Sequence, residues 1–166
     1  MLTWKFADDS IRKFIETKIL PRDADIVSVC WIFFYKENVI LIRNKRWWEI
    51  PGWHREFGET VEQTLVREMK EEIWILPAQY TYQFYWYREI INKDSIFNET
   101  LGTIYPNPYY MLHYIGVVDR PTFFATWNDV FESSFFTLDE VKESSIRATE
   151  LIIHAYEYKK MHLRVS

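Results

Sequence analysis

Six consecutive residues, "REMKEE" at 67 to 72, place three glutamates and one arginine in a segment with helical periodicity. Carboxylates gathered this closely either solvate a helix face or hold a hard divalent cation, which prefers oxygen ligands. At about 100° per residue, Val61, Leu65, Met69 and Ile73 form one apolar stripe, with Gln63, Arg67 and Lys70 roughly opposite and facing water. Glu68 and Glu72 are four apart, so they lie one above the other beside that stripe, with Glu71 further out. Like charges at this spacing repel by about 0.2–0.5 kcal/mol per pair on an exposed helix. The repulsion grows at the rim of a buried face, where desolvation disfavours charge. A cation placed where the carboxylates converge removes the conflict. Helix geometry alone leaves the metal cage and the solvated acidic face equally open.

The elements that must position these acids can be read on either side of them. The apolar run "IVSVCWIFFY" at 26 to 35 reads as a strand, "KEN" as a turn, and "VILIR" at 39 to 43 as the returning strand of a hairpin. The segment "PGWHREFGE" holds two of the four glycines and precedes a helix predicted over 60 to 74. Residues 80 to 91 and 108 to 118 read as strands dense in Tyr, Phe and Ile, joined by a long loop. "SSFFT" reads as a short strand, "LDEV" as a helical turn, and 144 to 162 as a terminal helix. Apolar residues at 11, 14, 15 and 19 after an Asp-Ser pair predict an extra N-terminal helix over 9 to 19. The expected fold class is α/β (α+β): one domain over 1 to 166, with a mixed β-sheet flanked by helices.

Composition narrows the function classes. With 166 residues, 48% hydrophobic and 27% charged, the chain has the make-up of a globular domain with a substantial core. Its 8 Trp, 11 Tyr and 12 Phe are mostly core material, and a few rings, Trp47, Trp48, Tyr109 or Tyr110 among them, are candidates to stack on a planar ligand. A net charge of −4, with "RNKR" at 43 to 46 the one basic cluster, argues against duplex nucleic acid as a partner. The longest apolar run is about half what a membrane span needs, and "MLTWKFADDS" lacks the features of a signal peptide. The lone Cys30 reads as a small buried core residue, and the expected location is the cytoplasm.

Residues 52 to 75, "GWHREFGETVEQTLVREMKEEIWI", resemble the Nudix (MutT-like) box, written G-x5-E-x7-R-E-U-x-E-E-x-G-U with U bulky and apolar. Glu59 stands at the first glutamate position, followed by Arg67, Glu68, Met69, Glu71, Glu72 and Ile75 at theirs, and "WWEIPG" at 47 to 52 is similar to the family's lead-in. Trp53 and Trp74 replace the two box glycines.

The resemblance implies an α/β/α sandwich fold and a hydrolase of phosphoric anhydride bonds that cleaves a diphosphate linkage in a nucleotide-like small molecule. It implies Mg²⁺ or Mn²⁺ on Glu68, Glu71, Glu72 and the carbonyl of Gly52, with Glu56, Glu59 and Arg67 in support, Arg67 pairing with Glu59. Arg43 and Trp48 become candidates for substrate binding, and Asp129 and Glu132 for a base or extra ligand, while His54 reads as an ordinary loop residue. "REIINK" at 88 to 93 carries neither the proline nor the tyrosine that marks two Nudix subfamilies, so the substrate stays open. So does assembly, a homodimer included. The competing reading is a Nudix-fold nucleotide-binding or regulatory module without turnover, which the two tryptophans favour and the retained acids oppose.

Overall fold

The structure, a computed structural model, describes residues 2–5, 11–17, 19–45, 47–73, 79–98, 103–119, 132–144, 146 and 148–163. Their class is α+β, a mixed sheet flanked by helices, as expected. Strands β1 (Leu2–Lys5) and β2 (Ile11–Glu16) come first, followed by β3 (Ile26–Tyr35) and β4 (Asn38–Arg43). The short strands β5 (Trp48–Glu49) and β6 (Gly52–His54) lead into α1 (Val61–Ile73). After β7 (Tyr80–Ile91), the long loop carries the two-residue strands β8 (Phe97–Asn98) and β9 (Thr103–Ile104) before β10 (Tyr109–Val118). Strand β11 (Glu132–Phe136) and helices α2 (Leu138–Glu143) and α3 (Thr149–His162) complete the described chain. Hydrogen bonding runs in the order β1-β2-β7-β10-β3-β4-β11, with β5 on β4 and β6 on β3. No helix among the described residues is long and apolar enough to cross a membrane.

The packing divides into two compact units, Met1–Cys30 with Trp53–Leu65 and Phe84–Tyr114, and Trp31–Gly52 with Val66–Gln83 and Ile115–Ser166. In the first unit the predicted N-terminal helix is replaced by a strand. Residues 11 to 16 pair antiparallel with β1 on one side and with β7 on the other, Ile11 opposite Ile91 and Glu16 opposite Trp86. Local spacing favoured a helix, but side chains across the strands decide the matter. The Phe14 ring lies 4.5 Å from Trp86, the Arg88 guanidinium sits 4.8 Å over Phe14, and Lys13 pairs with Glu89 at 2.7 Å. Each is a cross-strand contact that a helix cannot make. His113 is 1% exposed and stacks on Trp86 at 4.1 Å, its rings within 5° of parallel. Burial first, and Arg88 second, push its imidazole well below its ordinary value, so it packs as a neutral ring.

In the second unit, Trp31, Phe33 and Phe34 are fully buried, as are Ile40 and Leu41 on the returning strand. A strand apolar on both faces belongs in the interior of a sheet. The turn between β3 and β4 is clamped from α3. Tyr156 donates its hydroxyl to Glu37 at 2.6 Å, and Lys159, a residue 2% exposed, donates its ammonium to the Lys36 carbonyl and lies 3.3 Å from Glu37. Helix α2 begins at a reciprocal cap, in which Thr137 and Glu140 each bind the other's backbone N–H.

Candidate active site

The box turn is held from the strands before it. Strand β5 pairs with β4, Ile42 opposite Glu49 and Arg43 opposite Trp48, and the Trp31 N–H donates to the Pro51 carbonyl at 3.0 Å. These bonds fix the backbone at Gly52, whose φ of 144° lies where a side chain is disfavoured. Its N–H donates to Glu72 Oε2 at 3.0 Å, tying the turn to α1 across twenty residues of sequence.

Helix α1 turns its apolar stripe inward, with Leu65 at 1% exposure and Met69 and Ile73 at 0%. This rotation decides the fate of the acids. Glu68 and Glu72 are 4% and 6% exposed, so they are not a solvated face. Glu71 lies further out, its side chain 33% exposed. The Glu72 carboxyl is pushed up to about 8, by burial first and then by Glu68, with Glu49 and Glu71 adding to the effect and the Gly52 N–H opposing it. A buried carboxyl ringed by other carboxylates is the donor chemistry a hard cation fits, because the cation supplies the missing positive charge.

Two features went unread in the sequence. Glu49 contributes to the field at Glu72 from β5, and Asn44 donates its side-chain amide to Glu49. Its signal lay within "WWEIPG", but only the folded hairpin carries that acid to Glu72. Arg67, placed by periodicity on the water-facing side and by the family resemblance beside Glu59, pairs with Glu68 and, at 3.3 Å, with Glu71. Its side chain is 22% exposed. Among the described residues no three His, Cys, Asp or Glu side chains are drawn into a metal-holding group, and the arginine occupies the place of positive charge between two of the acids.

The other candidates have partners of their own. Arg43 and Glu132 face each other across β4 and β11 and form an ion pair at 3.6 Å, each side chain 53% exposed. Trp48 packs edge-to-face on Phe136 at 4.8 Å, while Trp47 is 39% exposed. Within the first unit, Glu59 Oε2 accepts from the Glu56 N–H and from the Thr64 hydroxyl, both at 2.9 Å, which knits the turn before α1. Thr60 and Gln63 cap the helix reciprocally. Arg55, also missed, binds the Asp23 carbonyl at 2.8 Å, the Ile26 carbonyl at 3.2 Å and the Glu59 carbonyl. His54 lies beside Tyr105, the rings 7° from parallel, and burial lowers its pKa. Tyr109 packs on Tyr105 and Tyr110 on Tyr87. Trp74, Asp129 and the Trp53 side chain lie outside the described residues.

Comparison with known proteins places this arrangement. A mutant form of the Bacillus subtilis pyrophosphohydrolase BsRppH matches with a TM-score of 0.72 at 14% identity, covering 100% of both chains. A C. elegans Ap4A hydrolase in a binary complex matches at 0.57 and 15% identity, over 81% of this chain and 96% of that one. The NUDIX domain of Shewanella oneidensis NrtR, complexed with ADP ribose, matches at 0.57 and 13% identity, over 82% and 88%. At these identities the likeness is one of fold. No curated protein matches the sequence. The NUDIX domain model itself matches residues 24–155, most of the chain. The chain belongs to the NUDIX family, and that membership places it among the hydrolases of phosphoric anhydride bonds.

Proposed function

We propose that this chain is a divalent-metal-dependent pyrophosphohydrolase that cleaves a diphosphate linkage in a nucleoside diphosphate derivative or a nucleoside triphosphate. The observation that carries the reading is the burial of Glu68 and Glu72 side by side on the box helix, with Gly52 bonded to Glu72. A helix that serves only structure gains nothing from desolvating two carboxylates of the same charge. The neighbours in fold, an Ap4A hydrolase and a domain bound to ADP ribose, support a nucleotide-like substrate.

Glu68, Glu71, Glu72 and the Gly52 carbonyl would hold Mg²⁺ or Mn²⁺. When bound, the cation supplies charge neutralisation for the diphosphate and a water acidic enough to attack phosphorus. The residues themselves do the positioning. Gly52 orients Glu72 through its N–H, so that the other carboxylate oxygen is available to a ligand. Arg67 lies against Glu68 and Glu71, where its guanidinium offsets their charge and orients both side chains. Glu49 adds negative charge behind Glu72. Arg43 and Trp48 are assigned to substrate phosphate and to the flank of the substrate, and Glu132 or Asp129 to the base or an extra ligand. Glu56 and Glu59 keep the turn before α1 in shape. On this reading the protein works in the cytoplasm on a small soluble nucleotide.

A second reading is favoured by the Arg67 pairs: a Nudix-fold nucleotide-binding module in which the arginine permanently neutralises the acids. Phosphate release separates the two. Nucleoside triphosphates, ADP-ribose and other diphosphate-linked nucleotides would be assayed with Mg²⁺ and with Mn²⁺, coupled separately to pyrophosphatase and to phosphatase. Metal-dependent turnover that disappears in Glu72→Gln and Glu71→Gln supports the enzyme. Nucleotide binding without turnover under the same conditions establishes the module.

A further inference from the structure

The first unit contains a cavity of about 260 Å³. Arg22, Asp25, Tyr87, Asn107 and Tyr110 contribute its polar walls, and Pro21, Pro106 and Pro108 line it with apolar surface. The Tyr87 and Tyr110 rings meet at 84° with their centroids 5.2 Å apart. Ring planes at a right angle do not form the parallel slot that sandwiches a flat base. They form a corner, and a compact rounded cation sitting in it is attracted by aromatic ring faces.

Charge points the same way. Asp25 Oδ2 accepts from Arg22 Nε at 2.8 Å, through a guanidinium side chain that is 85% exposed, while the Asp25 side chain is only 15% exposed. An ammonium group can therefore share this carboxylate, with Arg22 swinging into solvent. The Tyr110 hydroxyl donates to Glu89 at 3.5 Å; Lys13 answers that carboxylate's charge at 2.7 Å, so Asp25 is the counter-charge within the cavity itself. Burial first, with Glu89, Tyr87 and Asp25 adding to it, raises the Tyr110 pKa, and burial with Glu89 raises that of Tyr87. Both phenols therefore stay neutral, and their surroundings disfavour an anion.

We propose that this cavity binds a small organic cation, an alkylammonium or quaternary ammonium group, with the Tyr87 and Tyr110 rings as aromatic walls and Asp25 as counter-charge. The inference does not rest on diphosphate hydrolysis, because every group it uses belongs to the first unit.

The test is a titration of the full chain, followed by calorimetry and by amide NMR shifts, with four probes. These are choline, ethanolamine, AMP, and the uncharged analogue of choline in which carbon replaces the ammonium nitrogen. Choline is expected to bind and to shift the amides of Asp25, Tyr87 and Tyr110. The uncharged analogue should bind about tenfold more weakly or not at all, and so should choline to Tyr87→Leu or Asp25→Asn. Tyr87→Phe keeps the ring and should bind choline as the native chain does. Ethanolamine binding as tightly as choline would assign the site to ammonium groups in general, and weaker binding to quaternary ones. Equal binding of the charged and uncharged probes overturns the proposal without any variant having to fold. Silence of both cations, or AMP alone shifting these amides, overturns it as well.

Discussion

Burial and neighbouring carboxylates raise Glu72 from an ordinary 4.5 to about 8, so without a cation it is largely protonated at neutral pH. The folded chain therefore binds this proton more tightly than the unfolded chain does. The resulting stability is complete below about pH 4.5 and is lost as pH rises through about 8. In EDTA at pH 8 to 9, Glu72→Gln should melt at a higher temperature than the native protein, because the amide still accepts from Gly52 but carries no buried charge. The same variant should lose kcat/KM by more than the roughly 10–100-fold that removal of a group behind a metal ligand costs. A lower melting temperature for the variant in EDTA would contradict the electrostatic account. A proton must also leave Glu72 when a cation binds. Apparent Mn²⁺ affinity should thus rise with pH up to about 8, by up to about tenfold per unit, and then level off. Calorimetry in buffers of different ionisation enthalpy measures the released proton directly, and an affinity flat between pH 6 and 8 would sink the idea.

At the scale of elements, periodicity was a good guide wherever one face of an element alone decided burial. The stripe of α1 was legible for that reason, while the strands 26 to 35 and 80 to 91 were legible from their β-branched and aromatic composition. It failed at residues 11 to 16, where apolar spacing fitted a helix but the open edge of β7 supplied backbone partners and the Phe14, Trp86 and Arg88 contacts. It also missed Gly116 in β10, which looks like a weak point in a strand. A Cβ there would stand 2.4 Å from the Thr81 carbonyl oxygen and 2.3 Å from the Phe33 ring, so the residue is needed for close packing rather than for turning. Gly116→Ala should destabilise the protein by at least about 1–3 kcal/mol, the cost of an overpacked core. Urea unfolding measures it, and a change within about 0.5 kcal/mol would show that β10 shifts freely.

For the molecule as a whole, a ligand that binds only the folded form raises its stability by mass action. If the acids hold a cation, Mn²⁺ at about a hundred times its Kd should add about 2.7 kcal/mol to unfolding. The melting temperature should climb with concentration in the native protein, and not in Glu68→Gln or Glu72→Gln. The same titration in Arg67→Ala examines the arginine's place between the acids. Loss of its competing charge should raise apparent affinity, whereas a required support would lower it. Net charge of −4 makes nonspecific cation binding to the surface a shared background, which the glutamine variants subtract.

The sequence by itself determined the family, the α+β class and the acids, because these depend on residue types at fixed spacing along one helix and on a turn next to it. Tertiary structure decided which of those acids are dry. Burial of Glu68 and Glu72 follows from the way Met69 and Ile73 seat the helix, and no local pattern measures that depth. It also decided that Arg67 answers Glu68 and Glu71, that Glu49 reaches Glu72 from another strand, and that Arg43 faces Glu132. Each of these pairings depends on where side chains come to rest once burial has set the cost of leaving a charge alone, and that cost is a property of the folded interior.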